Sequence, residues 1–298
     1  MPDKLSEEDW ELLITRIKKG ECTPFIGAGA CFGTIPTAAR IAADWAGKVG
    51  FPFDDCTDLA KVAQFISVKS DAIRPKEMFI EEFKDVAPPN FDDPYEPHRV
   101  LADLPLPVYI TTNYDDFLFR ALSRTEYAPG QKKTPQRELC KWNQEIGGGR
   151  LNARKRAPRL DGSIQSPIIF HLHGNMEHAD SMVLTEDDYL DFLIKIGKDD
   201  TLLPRNIEQA FTSTSLLFVG YSLNDWNFRV LFRSVVSYLE ISTRRVHISV
   251  QLSPLKETAS AEQKKNAEEY LNRYFENLKI RVYWGDAKAF AKELREHW

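Results

Sequence analysis

The sequence contains few cysteines, and none of them is closely paired with another. The chain lacks any Cys-x-x-Cys unit, and its four cysteines are Cys22, Cys31, Cys56 and Cys140. Zinc ribbons and disulfide frameworks need closely spaced cysteine pairs. The sequence therefore predicts neither a zinc ribbon nor a disulfide scaffold.

Long apolar runs are also missing. No stretch reaches the roughly 18 apolar residues that a membrane-spanning helix requires. Residues 1–8 are mostly polar or charged and lack the apolar core of a secretory signal peptide. We therefore expect a soluble, cytoplasmic protein that has no membrane partner.

The chain has no large excess of one charge. It carries 39 basic and 44 acidic residues, for a net charge of −5, which argues against a globally basic nucleic-acid-binding protein. Residues 131–160 are an exception, because they contain nine Lys or Arg and two Glu, a local net charge of +7. Their three consecutive glycines and two prolines predict a basic loop. Two interpretations stay open for it: a surface for nucleic acid or a partner, and a solvated insertion.

Short apolar runs recur along the 298 residues and indicate β-strands. Helical patterns lie between several of them, and this alternation predicts a parallel sheet covered on both faces. The predicted fold is thus a doubly wound, Rossmann-like α/β fold. Strands are predicted at 22–26, 108–112, 168–172, 216–219, 246–250 and 280–284, and helices at 38–49, 59–67, 78–83, 117–122, 226–239 and 261–278.

The alternation is interrupted after the first strand. Residues 37–100 hold several helical patterns and no clear strand. We predict a helical insertion there, within a single domain that spans residues 1–298.

Four of the predicted strands end in a cluster of glycine or polar residues. In an open parallel sheet the ligand crevice lies beyond the carboxyl ends of the strands, so these clusters are expected to face one site. Glycine at such a turn lets backbone N–H groups approach a phosphate, although a tight turn without a ligand would look the same. The clusters begin at Gly27, Thr112, His173 and Gly220.

Polar side chains at these strand ends are candidates for catalysis. Asn113 and Asp115 precede a helical pattern, so they either cap that helix or belong to the site. His171 and His173 alternate along a strand and should point to the same side. Because Gly174 ends the strand, we place His173 at the crevice mouth and His171 in or near the core. No His-Glu-x-x-His motif is present, and no other histidine is well placed for a metal site.

Taken in order, the clusters resemble the sirtuin superfamily, in particular the sirtuin-like domains of bacterial anti-phage defence proteins. The resemblance spans roughly residues 20–290 and extends to a segment after the histidines. The matching motifs are GAGAC at 27–31, TTNYD at 111–115, LHGN at 172–175, VLTEDDY at 183–189 and GYSLND at 220–225.

The resemblance implies that NAD⁺ is bound as the substrate, with no metal. It places a glycine turn at the pyrophosphate, polar side chains by the nicotinamide ribose, and a histidine as catalytic base. Cys31 stands where serine is usual, and we interpret it as a small replacement rather than a nucleophile. The implied phosphate-lining residues are Gly27, Ala28 and Gly29; the other cofactor contacts are Cys31, Asp115, Gly220, Ser222 and Asp225; the catalytic residues are Asn113, beside the nicotinamide ribose with Asp115, and His173, the base.

The missing cysteines bear on the reaction. Protein-deacylating sirtuins carry a four-cysteine zinc module after the histidine, whereas this chain has no cysteine after Cys140. The resemblance therefore implies an NAD⁺ glycohydrolase, which gives nicotinamide and ADP-ribose and depletes NAD⁺ during anti-phage defence. Three alternatives stay open: an NAD-dependent deacylase, an ADP-ribosyltransferase and a non-catalytic sensor of an NAD derivative.

Effectors of this kind are held inactive until they are triggered. After the last predicted strand only residues 285–298 remain, which leaves no room for a sensor there. We expect triggering by homo-oligomerisation or by a partner such as a HerA-type ATPase or a short Argonaute. A sensor fused to a longer form of the chain is a further possibility.

Overall fold

The computed structural model describes residues 5–143, 161–199, 202–221, 230, 246–252 and 260–298. They form a seven-stranded parallel sheet, a two-stranded antiparallel hairpin, and helices around them. The strands are β1 (Cys22–Ile26), β2 (Val108–Thr111), β3 (Glu126–Ala128), β4 (Gln131–Lys132), β5 (Gln136–Leu139), β6 (Ile168–His171), β7 (Ser215–Val219), β8 (His247–Gln251) and β9 (Ile280–Trp284). The α-helices are α1 (Glu7–Lys18), α2 (Ala38–Val49), α3 (Leu59–Lys69), α4 (Arg74–Phe83), α5 (Pro97–Asp103), α6 (Phe117–Arg124), α7 (Glu186–Lys198), α8 (Arg205–Ser213), α9 (Ala261–Glu276) and α10 (Ala287–His297).

The strand order of the main sheet is β5-β6-β2-β1-β7-β8-β9. The chain moves from β1 to one side of the sheet and later returns to the other side at β7, as in a doubly wound fold. β1 and β7 are buried along their whole length, as strands covered on both faces must be. The predicted Rossmann-like α/β fold is confirmed.

Separate groups of apolar side chains cover the two faces of the sheet. Trp10 of α1 stacks on Phe290 of α10 on one face, and Phe25 of β1 contacts Phe211 of α8 and Phe218 of β7 on the other. Close packing on both faces holds the central strands β1 and β7 in place, and with them the turns that follow them.

Four helices, α2 to α5, lie between β1 and β2, and residues 27–107 contain no strand. Helices α2 to α4 share a core of their own around Trp45 and Phe79. A buried ion pair ties this core to the start of α7, because Lys76 Nζ lies 3.0 Å from Asp188 Oδ1. The helical segment is thereby attached to the body of the domain on the side of the carboxyl strand ends.

Part of the predicted basic loop is regular structure instead. β4 completes the hairpin with β3, and β5 is an edge strand that pairs with β6. Lys133 is buried and donates to the carbonyl oxygens of Ala102 and Leu104, and Arg137 lies 2.6 Å from Glu177. The loop prediction was therefore wrong for 131–132 and 136–139, because an exposed edge strand carries no apolar pattern. Residues 144–160, and the helix predicted at 226–239 apart from position 230, lie outside the described residues.

No helix in the described part of the chain is long and apolar enough to cross a membrane.

Gly220, which follows β7, should be intolerant of any side chain. Its φ is +81°, and an added Cβ would lie 2.3 Å from the backbone nitrogen of Ala30. The strained backbone and the overlap together should lower the free energy of unfolding of Gly220→Ala by about 2–5 kcal/mol. Chemical denaturation monitored by circular dichroism measures this loss.

Gly130 provides the matched control. Its φ is +73°, but an added Cβ would have no neighbour within 4 Å in the part of the chain that the structure describes. Gly130→Ala should therefore cost only the backbone strain, about 1–2 kcal/mol. Equal losses in the two variants would contradict the close packing at Gly220.

Candidate functional site

Two glycine turns meet at the carboxyl ends of β1 and β7. The N–H of Gly27 donates to the oxygen of Val219 at 2.9 Å, and the N–H of Gly29 donates to the oxygen of Gly220 at 2.8 Å. A Cβ on Gly27 would lie 2.8 Å from the Gly220 oxygen. Glycine is therefore required here by the contact of one turn with the other. The proximity of Gly27, Ala28 and Gly29 to a phosphate stays a prediction.

Asn113, Cys31 and Asp115 are in hydrogen-bond contact next to these turns. The Asn113 Nδ2 donates to the Gly27 oxygen and to Cys31 Sγ, both at 3.2 Å. Cys31 Sγ in turn donates to Asp115 Oδ2 at 3.3 Å. All three side chains are buried. Parallel pairing of β1 with β2 brings them together, because it aligns the ends of the two strands.

The backbone holds Asn113 and Asp115 in place. The N–H of Asn113 donates to Thr111 Oγ1 at 3.0 Å, and Asp115 Oδ1 accepts the N–H of Phe117 at 2.9 Å. Asp116 is the N-cap of α6 and Phe117 its first residue, so one oxygen of Asp115 holds the start of that helix while the other faces Cys31. Asp115 thus supports the start of the helix, and its role as a site residue stays a prediction.

Cys31 is a neutral donor in this site. Burial raises the pKa of its thiol well above the usual range, and the Asp115 carboxylate raises it further. The protonated thiol makes the kind of hydrogen bond that a serine hydroxyl would make. This agrees with our interpretation of Cys31 as a small replacement and gives no support to a reactive thiolate.

His98 was missed by the sequence analysis and lies in the same cluster. Its Nε2 is 3.9 Å from Cys31 Sγ, and its Nδ1 is 2.8 Å from Glu96 Oε1. The other Glu96 oxygen accepts the N–H of Arg99 at 2.7 Å, which caps α5. The Glu-Pro-His sequence signals a helix start, but no spacing in the sequence links this helix to the strand ends.

His173 lies elsewhere than predicted. Its ring is buried and contacts the rings of Tyr189 and Phe192 edge-on, with centroids 5.5 and 4.9 Å away. The chain turns back after Gly174, and the N–H of Val183 donates to the His173 oxygen at 3.0 Å, so the following segment covers the ring. The placement at an open crevice mouth was therefore wrong.

The surroundings of His173 keep it neutral. Burial lowers the pKa of its imidazole to about 3. Its Nε2 is buried and has no hydrogen-bond partner among the described residues. A buried imidazole nitrogen without a partner is costly, and such groups are concentrated at functional sites.

His171 supports the Asn113 turn from behind. β6 ends at His171, so the assumed strand alternation does not extend to His173. The Nδ1 of His171 lies 3.3 Å from the Asn113 oxygen, and burial lowers the pKa of this buried ring.

Tyr221 is a second residue that sequence analysis missed. Its hydroxyl lies 2.7 Å from Thr112 Oγ1 and donates to the Ile26 oxygen at 3.0 Å, which connects the ends of β1, β2 and β7. The two residues predicted beyond it, Ser222 and Asp225, lie outside the described residues.

The doubly wound parallel sheet, with glycine turns and a buried Asn-Cys-Asp cluster at its strand ends, defines a Rossmann-like α/β protein. Residues 107–282, more than half of the chain, match the SIR2-like domain family. The chain belongs to that family.

Known proteins resemble the chain over much of its length. "NAD(+) hydrolase ThsA" from Enterococcus faecium is 26% identical over 258 residues, which cover 84% of this chain and 48% of that protein. The protein of the same name from Cytobacillus dafuensis is 28% identical over 229 residues, or 73% and 39% of the two chains. This chain thus spans about half the length of these relatives or less. A solved chain from work on Sir2 enzymes aligns over 98% of this chain and 97% of its own, with 16% identity and a TM-score of 0.36.

The burial of His173 should make folding sensitive to acid. Its pKa is about 3 in the folded protein and about 6.5 when unfolded. Between these values only the unfolded chain takes up the proton, so the stability present above pH 6.5 is lost as the pH falls towards 3. In His173→Gln the free energy of unfolding should fall less steeply as the pH decreases through this range. The slope should be smaller by up to about 1.4 kcal/mol per pH unit. Urea denaturation at a series of pH values measures the slope.

Tyr189→Phe is the control for this measurement. It alters a ring that contacts His173 but changes no group that titrates between pH 3 and about 6.5. Its slope should match that of the unmodified chain. The same slope in His173→Gln would mean that the folded state protonates this histidine as readily as the unfolded state does.

Proposed function

We propose that this protein is an NAD⁺ glycohydrolase that cleaves the bond between nicotinamide and ribose. The observation that carries the proposal is the cluster of Asn113, Cys31 and Asp115, placed where a doubly wound sheet binds its ligand. Membership of the SIR2-like family and the likeness to proteins named NAD(+) hydrolase support it.

Cleavage of the bond between nicotinamide and ribose requires little proton transfer by the protein. The nicotinamide nitrogen of NAD⁺ is already cationic, so the ring leaves as a neutral molecule without a general acid. Positive charge then develops on the ribose, as in glycoside hydrolysis. The Asp115 oxygen that faces Cys31 lies in a buried site, where a carboxylate stabilises such a charge more strongly than in water.

Asn113 would orient the ribose or the attacking water. Its side chain is held by the Gly27 oxygen and Cys31 Sγ, and its backbone by Thr111 and His171. An amide fixed from both ends keeps its orientation through the reaction, which is the basis of catalysis by preorganised polar groups.

His173 would act as the base that accepts the proton of the water or of a ribose hydroxyl. In the closed structure burial lowers the pKa of the imidazole and keeps it neutral, and its Nε2 has no hydrogen-bond partner among the described residues. It would become an effective base only when substrate and water enter and bring its pKa back towards the operating pH. NAD⁺ can reach this nitrogen only if the covering rings of Tyr189 and Phe192 move aside. Substrate binding would therefore open the segment that follows Gly174.

The cellular role proposed is NAD⁺ depletion in anti-phage defence, in the cytoplasm. Triggering by homo-oligomerisation or by a partner such as a HerA-type ATPase or a short Argonaute belongs to the same proposal.

One surface supports self-assembly: Leu190 and Ile194, one turn apart on α7, are 58% and 52% exposed. If the basic segment contacts nucleic acid, cations other than Lys133 and Arg137 would make the contact, because these two are engaged within the protein.

Replacement of Asn113 tests the proposal. The purified chain should convert NAD⁺ into nicotinamide and free ADP-ribose, resolved by liquid chromatography. Asn113→Ala should reduce the rate by about 10²–10³-fold, the usual loss when one positioned hydrogen-bonding group is removed. Asn90→Ala, in the loop before α5, removes an exposed amide and should leave the rate unchanged.

The products also separate this function from the alternatives. Acylated ADP-ribose formed from an acyl-lysine peptide would indicate a deacylase, and ADP-ribose attached to a protein would indicate a transferase. NAD⁺ that stays intact with the unmodified chain would contradict hydrolysis and favour a sensor.

A further inference from the structure

Cys31, His98 and Asp115 present a sulfur, a nitrogen and an oxygen to one another inside the protein. The sulfur lies 3.9 Å from His98 Nε2 and 3.3 Å from Asp115 Oδ2, and the three atoms all lie within 4.8 Å of one another. All three side chains are more than nine-tenths buried. The proposed hydrolysis uses Asp115 but gives His98 no task.

These separations suit three corners of a tetrahedral zinc site. Zinc bonds of about 2.3 Å to sulfur and 2.0–2.2 Å to nitrogen or oxygen place neighbouring ligand atoms roughly 3.5 Å apart. The two separations from the sulfur, 3.3 and 3.9 Å, lie on either side of that value, and the third is within 4.8 Å. Small side-chain movements would therefore complete the geometry.

The types of ligand indicate which metals the site would bind. Thiolate and imidazole are ligands of zinc and other transition metals, whereas calcium and magnesium take oxygen ligands almost exclusively. A site with three protein ligands leaves a fourth position for water.

Outer hydrogen bonds already orient two of the ligands. Glu96 Oε1 binds His98 Nδ1 at 2.8 Å, so the imidazole turns its Nε2 towards Cys31. The second oxygen of Asp115 is fixed by the N–H of Phe117. A carboxylate behind a histidine is the usual outer partner of a metal-bound imidazole.

We propose that Cys31, His98 and Asp115 form a binding site for a zinc ion, with water as the fourth ligand. Binding breaks the S–H bond of Cys31, forms a Zn–S bond and releases the proton to water, with no change in oxidation state. The metal takes the place of the hydrogen bond between Cys31 and Asp115.

Bound zinc should inhibit the protein. It would engage the thiol and the carboxylate that lie against Asn113, and so remove Asp115 from the developing charge on the ribose. This consequence rests on the proposed NAD⁺ hydrolysis, whereas the metal site itself does not.

Zinc binding to the full chain tests the site. After equilibrium dialysis, a chromophoric zinc chelator should remove one zinc ion per unmodified chain. Cys31→Ser and His98→Gln should lose this zinc, and Glu96→Gln, which keeps an oxygen beside His98, should weaken the affinity by about 10–100-fold. Circular dichroism shows whether each variant is folded. If one of them is not, Asp115→Asn, which alters the third ligand, takes its place in the comparison.

Two other cysteines provide matched controls. Cys140 is buried like Cys31 but lies among apolar side chains, and Cys56 is the partly exposed thiol. Cys140→Ser and Cys56→Ser should both keep the zinc. Loss of zinc in Cys56→Ser, its retention in Cys31→Ser, or no zinc on the unmodified chain would each overturn the proposal.

Cobalt gives a readout that does not depend on activity. Co²⁺ in place of zinc should produce a thiolate-to-metal absorption band that Cys31→Ser abolishes and Cys140→Ser retains. A band that persists in Cys31→Ser would place the metal on another thiol.

Nicotinamide release by metal-free and zinc-loaded protein tests the inhibition. Suppressed release that a chelator restores supports it, and equal release by both forms overturns it. If the metal-free protein releases no nicotinamide, the proposed hydrolysis fails, while zinc stoichiometry and the cobalt spectrum still decide the metal site.

Discussion

The close contact between the turns after β1 and β7 sets the geometry of the candidate site. Gly27 and Gly29 donate to the backbone of Val219 and Gly220, and no side chain fits between the two turns. A short 3₁₀ helix, Ala28–Cys31, begins directly after Gly27, so this contact holds the turn that carries Cys31. Because β2 pairs with the other edge of β1, the same contact also sets the distance from Cys31 to Asn113 and Asp115.

Polar groups buried next to this turn are stable because backbone atoms satisfy most of them. The Gly27 oxygen, the Phe117 N–H and the Arg99 N–H bind Asn113, Asp115 and Glu96. Burial of such groups without partners would cost about 1–3 kcal/mol each. In contrast to this network, the Nε2 atoms of His171 and His173 have no hydrogen-bond partner among the described residues. A substrate that supplied a partner to His173 would recover part of that cost on binding.

Sequence reasoning located the strands and the Asn-Asp pair because both follow from local patterns. Buried parallel strands are continuous apolar runs, and their carboxyl ends must meet, so Asn113 and the turn that begins at Gly27 could be placed together in advance. The position of His98 could not be predicted in this way, since it depends on how α5 packs across the sheet. The burial of His173 depends on Tyr189 and Phe192, and β5 is a polar edge strand without an apolar pattern. Each of these features is set by contacts between distant segments, which no local spacing encodes.

Cysteine in place of serine gives position 31 two exclusive states. As a thiol it donates to Asp115, and its raised pKa keeps it in this form while no metal is near. As a thiolate it can bind a metal together with His98, which a serine hydroxyl does poorly because zinc favours the softer sulfur. The proton and the metal compete for the same sulfur, so metal affinity must rise with pH. Under the proposed function and the proposed zinc site, the cysteine would keep the hydrogen bond to Asp115 and add a metal-bound state in which that carboxylate is engaged.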